Sequence, residues 1–133
     1  MNFKRLLSVT LVISLFLTMI CPVSAVTPRY NYTRSIYADI EIDTMWGVAT
    51  CTGKVIADGV VPVKLLLHLQ VYRNGGWETV KSWEITDTFT AYLSKPYAIY
   101  RGYEYRVYAV GFVYNNDNAV VEIVDVCDSQ WYN

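Results

Sequence analysis

Asp39, Glu41 and Asp43 recur at every second position, which on an extended strand places them on one face with neighbours roughly 7 Å apart. Carboxylates at that separation can divide general-acid and general-base work in glycoside hydrolysis. The same spacing also describes an acidic outer face that keeps an edge strand in solution. His68 is the single histidine, so one chain cannot assemble a Ser-His-Asp triad or a multi-histidine metal site. On a strand it reads as a solvent-side residue. The run from Asn115 to Asn118 offers oxygens to calcium, but it lacks the EF-hand order, and Asn and Asp are in any case turn formers. No phosphate loop, dinucleotide fingerprint or nucleophile elbow occurs. The expectation is a protein without catalytic residues, metal or cofactor.

The chain opens with a basic start, Lys4 and Arg5, followed by an uncharged run from Leu6 to Ile20 and the small residues Ser24 and Ala25. This is the pattern of a secretory signal peptide cleaved after Ala25. The run is shorter than the roughly 20 residues a helix needs to cross a bilayer, so no transmembrane anchor is expected in the mature form. Cys21 follows Met19 and Ile20 rather than a small residue, which argues against lipidation as a lipoprotein. Taking residues 1–25 from 133 leaves 108, enough for one core. Losing Lys4 and Arg5 turns the formal charge of −1 into −3. That balance argues against nucleic acid and anionic membrane surfaces as partners.

Cys51 and Cys127 are then the mature cysteines. An oxidising compartment permits them to bond, and closing so long a loop would stabilise the fold by roughly 4 kcal/mol. The other reading is two buried free thiols.

Residues 26–34 lack alternation and read as an extended leader, with the domain covering 35–133. Ser35 to Asp43 alternates Ile36, Ala38, Ile40 and Ile42 against the acidic residues, the mark of a half-buried strand. Trp46 to Ile56 follows, with Cys51 on the inward phase, and Asp58-Gly59 turns the chain. Val63 to Arg73 places Val63, Leu65, Leu67, Leu69 and Val71 on one side. Asn74-Gly75-Gly76 predicts a hairpin into Trp77 to Thr86. Thr88 to Ser94 is a fifth strand, ended by Pro96. Gly102 to Tyr114 is the central strand, apolar on both faces after Arg106. Ala119 to Cys127 is the seventh, followed by a tail holding Trp131 and Tyr132. Seven short strands with no helical period predict an all-β, seven-stranded antiparallel two-sheet sandwich.

If strands three, six and seven share a sheet, its outward face collects Leu66, His68, Tyr72, Tyr108, Val110, Phe112, Val120 and Val124. Such a face is more apolar than a solvated one and predicts binding of an extracellular protein partner or self-association. Alternatively Tyr30, Tyr32, Trp131 or Tyr132 covers it, or a bulge shifts the phase. A second function reading is a carbohydrate-binding module, with Trp77 and Trp83 beside Tyr72 and Tyr108 as a sugar platform. Size and export also permit a bacteriocin-like antagonist.

The seven-strand path, with Tyr103 and Tyr105 entering the sixth strand, resembles immunoglobulin-like and fibronectin type III-like sandwiches. In those folds a tyrosine hydroxyl bonds back to the chain just upstream. PRYNYTRSI, GVATCTGKV, GGWETVKSWE and RGYEYRV, together with the leader, resemble short secreted Ig-like proteins of gut Firmicutes. The resemblance implies secretion and an immunoglobulin-like domain, and it assigns no site. It also implies a topology in which the seventh strand ends near the start of the second, which would bring Cys127 to Cys51.

Overall fold

The computed structural model describes residues 30–133. The leader, its cleavage after Ala25 and Cys21 lie outside the described residues. Seven strands run in order: β1 (Thr33–Asp43), β2 (Val48–Ala57), β3 (Pro62–Arg73), β4 (Gly76–Thr88), β5 (Thr90–Ala98), β6 (Tyr103–Tyr114) and β7 (Val120–Tyr132). All pair antiparallel, in a three-stranded sheet ordered β1-β2-β5 and a four-stranded sheet ordered β4-β3-β6-β7. The chain is an all-β two-sheet sandwich.

The inward phases meet between the sheets. Ile40, Ile42, Ala49, Cys51 and Val55 from the smaller sheet pack against Leu65, Leu67, Leu69, Val107, Ala109 and Val113 from the larger. At Gly111 the sheets come so close that a Cβ would lie 2.7 Å from Val55 Cγ2. The β3–β4 hairpin turns on Asn74 and Gly75, both at positive φ (54° and 80°), the geometry of a two-residue turn whose twist matches the strands. Tyr105 makes the upstream bond expected of Tyr103 or Tyr105. Its hydroxyl accepts from the Tyr100 amide at 3.0 Å and donates to the Tyr100 carbonyl at 3.1 Å.

Three expectations need correction. Pro96 does not end the fifth strand, because β5 is an edge strand and a residue without N–H can face away from its single neighbour. Trp131 and Tyr132 are no tail, since β7 runs on to Tyr132. The Cys51–Cys127 bond is not formed, and Cys51 is a free, fully buried thiol. Cys51 points into the core from β2, whereas Cys127 stands opposite Tyr108 on the outer side of the other sheet. The end of β7 does approach the start of β2, but the residue delivered there is Tyr132, which reaches Thr44 O at 3.3 Å.

Candidate binding face

The outer side of the four-stranded sheet is built in rows, one residue from each of β4, β3, β6 and β7. From one end these are Trp77-Tyr72-Glu104-Trp131, Thr79-Gln70-Arg106-Ser129, Ser82-His68-Tyr108-Cys127, Glu84-Leu66-Val110-Asp125 and Thr86-Lys64-Phe112-Ile123. Leu66, His68, Tyr72, Tyr108, Val110 and Phe112 therefore share one face, as their alternation on the two central strands predicts. Val120 joins them at the far corner opposite Tyr114.

Val124 does not join them. Val113 pairs with Glu122 but Tyr114 with Val120, so a bulge at Val121 shifts the phase and buries Val124 against Gly111. Ile123 takes the outer position instead. The sugar platform fails in the same way. Leu69 pairs with Lys81 but Gln70 with Thr79, so a bulge at Val80 leaves Trp77 outside and turns Trp83 inward, against the edge of Tyr97. Tyr72 and Trp77 meet edge to face at 69°, giving a sugar ring no coplanar pair to stack on.

Polar bonds running across the strands knit the face together. Arg106 is only 8% exposed, with its guanidinium carbon 4.4 Å above the Trp77 ring and 5.5 Å from that of Tyr108. Its Nε donates to Gln70 Oε1 at 2.6 Å, and Gln70 Nε2 donates to Thr79 Oγ1 at 3.0 Å. A planar cation between π faces offsets part of its lost hydration. Tyr108 OH donates to Asp125 at 2.6 Å, and burial, reinforced by that carboxylate, pushes its pKa up to about 12. The His68 ring stacks on Tyr108 and shares a 2.7 Å hydrogen bond with Ser82 Oγ through Nδ1. Burial lowers the His68 pKa, favouring the neutral ring. This His–Ser contact lies on an open sheet face, with no carboxylate among the described residues to orient the imidazole as catalysis would require.

Of the residues considered as covers, only Trp131 lies on the face. The amides of Asn31 and Tyr32 are held by Glu122 at the β7 edge, Tyr30 packs against the core, and Tyr132 is buried. Tyr72 remains 44% and Trp131 57% exposed. The sequence reading left Arg106, Gln70 and Ile123 out of the face and placed Trp131 in a tail that folds across it rather than in a strand of the sheet. For Arg106 the signal was there, the one cation of a strand that is apolar beyond it.

The other candidate chemistry stays dispersed. Asp39, Glu41 and Asp43 alternate outward on β1, and Asp43 Oδ1 accepts from the amides of Met45 and Trp46 as a turn cap. Asn115 Oδ1 accepts from the amides of Asp117 and Ala119, which commits it to the turn. Among the described residues no three His, Cys, Asp or Glu side chains are grouped to hold a metal, and no helix is long and apolar enough to cross a membrane.

No protein family and no curated protein matches the chain. Among solved structures, the sporulation control protein Spo0M from Bacillus subtilis is similar over 76% of this chain and 48% of that one, at 13% identity and a TM-score of 0.39. The chain thus spans about half the length of that protein, and a likeness this distant carries no argument.

Proposed function

We propose that this protein is a secreted, non-catalytic binding module of immunoglobulin-like fold, which uses the outer face of its four-stranded sheet to bind an extracellular protein, a second copy of itself included. The strand orders β1-β2-β5 and β4-β3-β6-β7 and the Tyr105 hydroxyl closing on Tyr100 favour the immunoglobulin-like assignment. One observation carries the binding reading. Arg106 is fixed between Trp77 and Tyr108, with Tyr72 and Trp131 exposed in the adjoining row. Trp, Tyr and Arg are the residues that dominate protein interfaces, and a side chain already immobilised loses little entropy on binding.

Sedimentation of the protein, with and without Tyr72→Ala and Trp131→Ala, tests the self-association branch. A dimer that the double variant dissociates supports it, and a monomer at high micromolar concentration removes it. Retention on insoluble glycan, lost in Trp77→Ala, would replace the protein reading by the carbohydrate one.

A further inference from the structure

Two opposite charges stand side by side on that face without meeting. Glu104 and Arg106 are successive outward residues of β6, roughly 7 Å apart along the strand. Neither forms an ion pair with a described residue, whereas Arg34 pairs with Asp58 and Arg73 with Glu78. Arg106 is turned aside from Glu104: its Nε is spent on Gln70 Oε1, Gln70 is oriented in turn by Thr79, and the guanidinium lies over the Trp77 ring. Its remaining N–H groups, all on the two terminal nitrogens, donate to no described residue. At 8% exposure this cation is largely desolvated, so its unspent donors favour a carboxylate brought to them from outside.

We propose that this carboxylate is Glu104 of a second copy, in a two-fold dimer that lays the Glu104 and Arg106 rows of one sheet face on the same rows of the other. The inference rests on the binding reading given above and commits that reading to self-association.

The two rows are their own complement. A two-fold axis running across the strands, midway between the rows, turns one face onto the other and reverses the row order. Arg106 of each copy then meets Glu104 of the other, so one operation makes both pairs. The same rotation sets Trp131 over Ser129, and Tyr72 over Gln70 beside the guanidinium. The exposed rings of one row thus land on the shorter side chains of the next. A planar guanidinium can take a carboxylate at its edge while a ring covers its face.

The other charges of the face do not compete. Glu84, Asp125 and Lys64 lie in the two rows at the opposite end, where Asp125 accepts from Tyr108 and Lys64 stands over Phe112 at 5.3 Å. An unrelated protein would need an acid and a base in the inverse order at this spacing, whereas a second copy carries them by construction. Strands about 4.8 Å apart and rows roughly 7 Å apart make a contact smaller than the roughly 800 Å² per partner of a stable dimer. The dimer is therefore weak and forms at high concentration.

Sedimentation up to high micromolar concentration is measured for the protein, for Glu104→Arg, for Arg106→Glu and for an equimolar mixture of the two variants. Each reversal makes both contacts like-charged, so either variant alone is expected to associate about a hundredfold more weakly than the parent. In the mixture every Arg faces a Glu again, and a one-to-one dimer is expected to return. Association through the apolar run from Leu6 to Ile20 would be common to all the samples. A dimer indifferent to both reversals therefore overturns the proposal. A monomeric parent overturns it too, and leaves the face to an extracellular partner of another kind. A parent dimer that Tyr72→Ala with Trp131→Ala dissociates, but that the mixed variants do not re-form, keeps the face as the contact and overturns the Arg106–Glu104 pairing. Should Arg106→Glu not fold, Glu104→Arg decides alone: its dimer must be lost, and persistence overturns the proposal.

Discussion

The two outer faces of the sandwich rest on the same core yet are built from different residues. On the three-stranded sheet the outward positions are Tyr37, Asp39 and Glu41, then Thr50, Thr52 and Lys54, then Tyr92 and Ser94, with Thr52 Oγ1 and Ser94 Oγ 3.1 Å apart. On the two central strands of the four-stranded sheet they are Lys64, Leu66, His68, Gln70 and Tyr72, then Glu104, Arg106, Tyr108, Val110 and Phe112, with hydroxyls and charges on the flanking strands. Short hydroxyls and charges need only water, whereas aromatic rings and a buried guanidinium organise one another. A solvated face costs nothing to leave free; a preorganised aromatic one has low entropy to lose when it is covered.

The shared core is the yardstick for this contrast. Leu67→Ala empties space between the sheets and is expected to cost about 2–5 kcal/mol in chemical denaturation; a smaller loss would show that the sheets are not tightly packed. On the aromatic face, Arg106→Ala removes the contacts to Trp77 and Gln70 and is expected to cost about 2 kcal/mol. An unchanged midpoint would mean that this face is as indifferent as the other.

Cys51 reports on the core by titration. Its thiol is pushed up from its ordinary 9.0 to about 12 by burial. Above pH 9 the unfolded chain releases a proton that the folded chain keeps, so stability falls with rising pH, by up to about 1.4 kcal/mol per unit. Cys51→Ala should abolish that component of the slope. Cys51 should also resist alkylation in the native protein and react, without prior reduction, once the protein is unfolded.

His68 tests the aromatic face in the opposite direction. Burial lowers its pKa below the ordinary 6.5, so the unfolded chain binds a proton first as the solution is acidified. The stability that His68 contributes is complete above pH 6.5 and is lost as pH falls through its depressed value. His68→Gln should flatten the acid limb of the denaturation profile, and an unaltered limb would place the titration elsewhere. The smallest effect belongs to the solvated face. Thr52→Ala should stay within about 0.5 kcal/mol, and a larger cost would erase the distinction between the faces.

Much of this architecture was legible in the chain itself. Alternation together with turn signals identified the seven strands, and alternation put the right residues of β3 and β6 inside, because a central strand has neighbours on both sides that hold its period of two without interruption. Asn74-Gly75 specified its hairpin and Tyr105 its closing bond, since both are local. The errors fell on edge strands. Val124 was assigned to the wrong side because of a bulge at Val121, the bulge at Val80 parted Trp83 from Trp77 on the alternative sugar platform, and the fifth and seventh strands ran past Pro96 and Cys127. A strand with one free side can absorb an extra residue or a missing N–H at little cost, so its phase is set by its partner rather than by its own sequence. The Cys51–Cys127 pairing failed for that reason too. Both cysteines lie on well-formed strands, but only the register of β7 against β6 decided that Cys51 faces the core and Cys127 the outside. Which polar groups meet across a face was likewise decided by register alone: Arg106 with Gln70, Tyr108 with Asp125 and His68 with Ser82 lie far apart in sequence, and only the pairing of strands brings them within reach.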